Sequence, residues 1–207
     1  MNARARLHLA TAAAVFAGSA TFAGVAAADP GDSSDVQVTV DIPTIHQPGV
    51  LALSVAANAV SLSENGSTPL VRQFTGTLPT VTVTDTRTGD EIPAGASWAV
   101  LGTSSNFTGT AGQPAITADH FGWKPRLVDG GDTGQVSAGE EVVTVLDDPT
   151  QPGNNVGLKD QELLVSTYDS AAVTGGSYDV NADLYLRTPS DVAAGSYHAT
   201  LTISLFE

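Results

Sequence analysis

From Val36 onward the chain repeatedly places an apolar residue at every second position. Val36, Val38, Val40 and Ile42 are separated by Gln37, Thr39 and Asp41. Leu51, Leu53 and Val55 follow, then Val60 and Leu62, and Val81 and Val83 stand among Thr80, Thr82 and Thr84. Further on, Tyr178, Val180, Ala182, Leu184 and Leu186 alternate with Asp179, Asn181, Asp183, Tyr185 and Arg187. Tyr197, Ala199, Leu201, Ile203 and Leu205 share one phase of the last run. Successive side chains of a strand point to opposite faces, so this pattern predicts half-buried strands with one core face and one wet face. The core expected from these phases contains Trp98, Val100, Tyr178, Val180, Leu184, Tyr197, Leu201 and Ile203.

Turn-forming residues fall between the runs. Pro43, Pro48-Gly49, Pro69, Pro79, Pro93, Pro114, Pro149, Pro152-Gly153 and Pro189 punctuate the chain, with Asp129-Gly130-Gly131 and Gly175-Gly176 as further turn signals. Many short strands with frequent turns predict an all-β fold, a single antiparallel β-sandwich of immunoglobulin-like or Greek-key type. Asp160 to Ser170 reads either as a short helix or, through Leu163-Leu164-Val165, as a buried strand. The stretch 121–155 is the least regular and is expected to form long loops. No internal repeat and no linker divides the chain.

The first residues change the domain boundaries. Arg4 and Arg6 precede an apolar run from Leu9 to Val25, which ends in Ala26-Ala27-Ala28 before Asp29-Pro30. A basic start, a short apolar middle and a small-residue end predict a cleaved secretory signal peptide over 1–28, leaving 29–207 as the domain. The run is too rich in Ala, Thr, Gly and Ser for a retained anchor, which needs about 20 strongly apolar residues. The ending Leu205-Phe206-Glu207 carries no wall-sorting motif. The expected location is therefore secreted and associated with the cell surface, without membrane insertion after cleavage.

Charge narrows the partners. The full chain has 8 basic and 22 acidic residues, and losing Arg4 and Arg6 with the leader leaves a formal net charge of −16. Such a surface repels phosphate backbones and anionic lipid heads, which argues against nucleic acid and against direct bilayer binding. There is no cysteine, so stability comes from burial and sheet hydrogen bonding rather than disulfides.

Little in the sequence assembles into chemistry. The nucleophile elbow Gly-x-Ser-x-Gly is absent, and Gly134-Gln135-Val136-Ser137-Ala138-Gly139 has the wrong spacing. The adjacent acidic pairs Asp90-Glu91, Glu140-Glu141 and Asp147-Asp148 would point to opposite faces on a strand, unlike the facing carboxyls of a glycosidase. His198 reads as an exposed strand residue, and His120, beside Asp119, is the histidine to examine for a site. Asp129, Asp132 and Glu140 form a candidate oxygen cage for calcium, although Gly131 leaves the third position of an EF-hand loop without a side-chain oxygen. No cofactor is implied. Trp98 opens the strand-like run Trp98-Ala99-Val100-Leu101 and is expected in the core. Trp123, in Gly122-Trp123-Lys124-Pro125, and Tyr185, on the polar phase of its strand, are the candidate exposed rings for stacking on a sugar.

Two segments carry a family resemblance. Trp98-Ala99-Val100-Leu101 leads into Asn106-Phe107-Thr108, and Ala194-Gly195-Ser196-Tyr197-His198-Ala199-Thr200-Leu201-Thr202-Ile203-Ser204-Leu205 ends the chain. These resemble the WxL domain of Gram-positive surface proteins and its actinobacterial relatives. The first motif has Val100 where the family has Leu, and the second, Ile203-Ser204-Leu205, has no Trp. The resemblance implies a β-sandwich, non-covalent attachment to peptidoglycan and membership of a surface complex. The function expected is a non-enzymatic structural or binding module whose partner is another surface protein or a wall polysaccharide. The alternatives are a carbohydrate-binding module using Trp123 and Tyr185 and, third, a hydrolase.

Overall fold

The computed structural model describes residues 37–43, 45, 47–129, 134–147 and 156–207. The expected leader and His46 lie outside them, as do Asp132, Asp148 and the turn residues Gly130 and Gly131. Residues 45–207 belong to one compact unit. Its strands are β1 (Leu51–Val55), β2 (Ser63–Glu64), β3 (Val71–Thr77), β4 (Val81–Asp85), β5 (Trp98–Ser104), β6 (Thr108–Gly109), β7 (Phe121–Asp129), β8 (Val136–Ala138), β9 (Glu162–Thr167), β10 (Ser177–Pro189), β11 (Tyr197–His198) and β12 (Leu201–Phe206). Apart from short 3-10 turns no helix occurs among the described residues, and the named strands pair antiparallel throughout. The fold is the expected all-β sandwich.

The first sheet is organised by β10. One edge of this strand pairs with β4 and then with β3, and the other pairs with β7. Thr77 faces Asp183 and Val81 faces Val180, so four steps along β3–β4 match three along β10. The two strands are thus one long strand with a single-residue bulge at Leu78-Pro79-Thr80, and Leu78 N–H still donates to Ala182 O at 2.8 Å. Such a bulge increases local twist and helps the sheet curl. β1 and β2 pair on the outer edge of this long strand.

The second sheet runs β12-β5-β9-β8. Between β5 and β9 the register shifts so that Val100 faces Val165 while Leu101 faces Leu163. The residue left over is Leu164, and this bulge lets both Leu164 and Val165 sit fully buried. That resolves the ambiguous segment 160–170 as a strand. The short ribbon β6–β11 extends the β5–β12 pair past a second bulge at Ser105, whose N–H donates to Thr200 O at 2.9 Å.

Side chains from both sheets meet in one core. Trp98 of β5 lies 5.9 Å from Tyr178 of β10, ring centre to ring centre, and Val81, Val83, Val100, Val180 and Leu184 are buried with them. Burying a side chain of this size contributes about 1.5–3 kcal/mol. Tyr197, Leu201 and Ile203, expected in the same core, are only half-buried because β11 and β12 lie at the border of their sheet.

Two further expectations are corrected. The irregular stretch was expected to be loop from Phe121, yet β7 is a nine-residue strand. Its Pro125 is tolerated because Trp123 N–H and C=O point outward to Val142. Backbone direction repeats every second residue, so the N–H that Pro125 lacks would also point away from β10. The alternating stretch after Val36 forms no strand among its described residues, 37–43. Alternation supplies an apolar face, but a strand also needs a neighbour for its N–H and C=O groups.

Candidate functional site

A cleft of about 970 Å³ opens between the sheets at one border of the sandwich. Its floor is apolar: Leu78, Phe107, Ile116, Phe121, Leu184 and Leu186 are buried there. Phe107 and Phe121 meet edge to face at 5.1 Å, which fixes the base. Phe74 of β3 forms one wall and Leu201 and Ile203 of β12 the other, all half-buried. The lips are two connections, 56–62 and 192–196, with Val60 and Ala194 exposed at the rim. Gln113 holds the second lip, donating through Nε2 to Ala194 O at 3.3 Å.

One charged pair borders the cleft. Arg72 donates through Nε and Nη2 to the two carboxylate oxygens of Glu64 at 3.1 and 2.8 Å, and its guanidinium lies 5.2 Å from the Phe74 ring centre. The Arg72 hydrogen bonds, with one from Ser67, hold the Glu64 carboxyl down at about 2. The pair stays ionised over the physiological range and leaves the cleft walls to Phe74 and the aliphatic side chains.

A second, polar concavity of about 400 Å³ lies against the outward face of β3 and β10. Arg187 stacks over Tyr185 at 4.9 Å, donates to Gln73 Oε1 at 2.6 Å and pairs with Asp147. Lys124 pairs with Glu141 at 3.2 Å. These cations are already engaged by neighbouring side chains, so the depression is a network of internal ion pairs.

The sequence-derived candidates fall as follows. Trp123 is fully buried and Tyr185 is 7% exposed, so neither is a free stacking ring. Trp123 faces the opposite sheet, where the absence of a side chain at Gly102 makes room for its indole. Tyr185 does stand on the polar phase of β10, but Val142 crosses above it. Its hydroxyl donates to Val142 O at 2.7 Å, and burial with the nearby Glu141 charge pushes its pKa up. Of the motif residues, Trp98 and Val100 are buried in the core, while Ile203 and Leu205 are half-buried along β12.

For calcium, Asp132 lies outside the described residues and the Asp129 side chain is not described, while Glu140 is exposed. His120 and Asp119 do not form a catalytic dyad. His120 Nδ1 contacts Arg187 O at 2.7 Å, and the Asp119 carboxylate accepts from Thr117. Glu91 accepts hydrogen bonds from Thr88 N–H and Gly49 N–H, and Asp147 accepts from Thr144 N–H, so these carboxylates hold turns.

Sequence reasoning missed Phe74 and the 192–196 lip. Val71–Thr77 lacks sustained apolar alternation, and a cleft wall drawn from distant strands leaves no local signal. Comparison with protein-family models, curated proteins and solved structures finds no match to this chain.

Proposed function

We propose that this protein is a non-enzymatic binding module of the bacterial cell surface, and that it holds an extended apolar segment of a protein partner in the inter-sheet cleft. The observation that carries this reading is the cleft itself. An apolar concavity of about 970 Å³ at a sheet border, beside a strand with one unpaired edge, is the surface that strand-adding partners use. The unpaired edge supplies main-chain hydrogen bonds, and the apolar walls receive alternate side chains.

Export and surface location rest on the leader-like residues 1–28, and membership of a WxL-like group rests on the two motif segments. A protein partner is favoured over a wall glycan on two grounds. Trp123 and Tyr185, the rings read as a sugar platform, are buried, and a strongly acidic chain is repelled by anionic wall polymers at low salt. Glu91, Asp119 and Asp147 accept hydrogen bonds that hold turns and His120 is held against Arg187 O, which supports a role without catalysis.

The rim offers a test that spares the fold. Val60 and Ala194 are exposed, and surface substitutions of this kind usually shift stability by no more than about 0.5 kcal/mol. The double variant Val60→Asp, Ala194→Asp is expected to leave the surface fraction for the medium in its own cell, with an unchanged thermal midpoint. Lys124→Ala, in the polar concavity, is expected to stay with the wild type. Equal retention of the rim variant and the wild type would rule out the cleft as the binding site.

A further inference from the structure

A single hairpin joins the floor of the cleft to its second lip. Residues 107–116 double back between two hydrogen bonds, Phe107 N–H to Ile116 O at 2.8 Å and Ile116 N–H to Phe107 O at 3.0 Å. Both of those side chains are buried in the floor. Inside the hairpin β6 pairs with β11, where Thr108 faces His198 and Gly109 faces Tyr197. The hairpin therefore runs beside the chain that leaves the lip.

The lip needs such a support. Ala193, Ala194, Gly195 and Ser196 are small and exposed, so burial does not fix them. Thr110 N–H of the hairpin donates to Ser196 O at 2.9 Å. The Tyr197 hydroxyl donates to Ala193 O at 2.8 Å, but this tie lies within one stretch of chain. A further tie comes from Gln113, which is half-buried. Its Oε1 accepts from Ala111 N–H at 2.8 Å, which fixes the amide plane and aims Nε2 at Ala194 O, 81 positions along the chain. Glycines leave the room it occupies. A Cβ at Gly109 or Gly195 would overlap the Gln113 side chain, and Gly195 has a φ of +150 that side chains rarely adopt.

We infer that Gln113 is the positioning residue of the binding cleft, holding the 192–196 lip in the place that receives the partner segment. This rests on the cleft reading and deepens it by naming what sets the affinity of that site. Gln113 does not itself line the cleft, so it acts through Ala194, which does. A lip that is already ordered loses less conformational freedom when the partner enters, and that difference appears as affinity. Without the Nε2 donor, Ala194 O turns to water and the small, exposed lip keeps only its main-chain tie to the hairpin.

The test uses the purified chain added back to producing cells from which it has been deleted, with the half-saturating concentration as the readout. Gln113→Ala is expected to raise that concentration about fivefold, the factor that corresponds to one net hydrogen bond of about 1 kcal/mol. Gln113→Met keeps the length and bulk of the side chain but not the donor, and is expected to do the same. A residue that only shapes its own turn would shift the melting temperature and leave half-saturation where it was. Hydrogen exchange on the free chain reads the lip directly. The Thr110 amide is expected to exchange faster in both variants than in the wild type, while the Phe107 amide at the base of the hairpin keeps its rate.

Unchanged half-saturation in Gln113→Met, or a Thr110 amide that exchanges no faster in either variant, would overturn the inference. The cleft reading would survive that result as long as the Val60→Asp, Ala194→Asp variant still failed to bind. A rim variant that binds as the wild type does, or a wild type that does not bind the cells, would bring down both.

Discussion

Replacing Trp123 with Ala is expected to lower the unfolding free energy by about 3–5 kcal/mol, a large share of the roughly 5–15 kcal/mol that holds a domain together. Trp123 projects from β7 of one sheet against β5 of the other and is fully buried. A Cβ at Gly102 would lie 2.4 Å from the indole Cη2, 2.8 Å from Cζ3 and 3.2 Å from Ile203 Cδ1. The ring therefore occupies the space that Gly102 leaves on the facing strand. The same geometry predicts that Gly102→Ala overpacks the contact and costs about 1–3 kcal/mol. The two changes should not add, because alanine at 102 fills part of the hole left when the indole is removed. Urea unfolding of both single variants and the double variant tests this, with Trp98 as the remaining fluorophore. Additive losses, or a Trp123→Ala cost below about 1 kcal/mol, would mean that the ring does not hold the sheets together.

Asp85→Asn is expected to be nearly as damaging, at about 3–5 kcal/mol, because it breaks a buried ion pair from one side. Asp85 is fully buried at the end of β4. Arg87, 9% exposed, donates to its two carboxylate oxygens at 2.9 and 2.7 Å. The third contact of this guanidinium is Glu207, at 2.5 Å beyond the end of β12, so the cluster joins the two sheets. Asparagine keeps the shape but leaves a buried cation with one partner. The hydrogen bonds from Arg87 hold the Asp85 carboxyl below its ordinary 3.8, outweighing the burial that would raise it.

A folded pKa below the unfolded one has a definite sign. The stabilisation is complete above the unfolded pKa of about 4 and is lost as pH falls through the lower folded value. The wild-type melting temperature should therefore fall below about pH 4, and Asp85→Asn should show a shallower fall over the same range. Parallel pH profiles for the two proteins would remove Asp85 from that role.

Several of these positions were legible from the chain and several were not. The alternation from Tyr178 to Leu186 is β10, and Val81 and Val83 are the buried face of β4. Trp98 and Val100 were placed in the core by their phase alone. Trp123 was misread because Gly122 and Pro125 are turn residues by composition. Only the orientation of the strand, which turns the nitrogen of Pro125 away from β10, makes them compatible with a sheet. Tyr185 was misread for a different reason: its phase is outward, but a later part of the chain covers it through Val142.

The cleft was the least legible feature. Phe74, Phe121 and Leu201 stand far apart in sequence, and each looks like an ordinary core residue until the sheets diverge around it. The segment after Val36 shows the converse, since its pattern is as regular as that of any strand in the protein. What the sequence by itself determined is which residues can form a strand and which side of each strand is apolar, because period-two patterning is a local property of the backbone. The tertiary structure alone decided which strands find neighbours, where bulges shift the register, and which apolar faces stay uncovered. Those outcomes depend on hydrogen-bond partners and packing contacts supplied by residues distant in the chain.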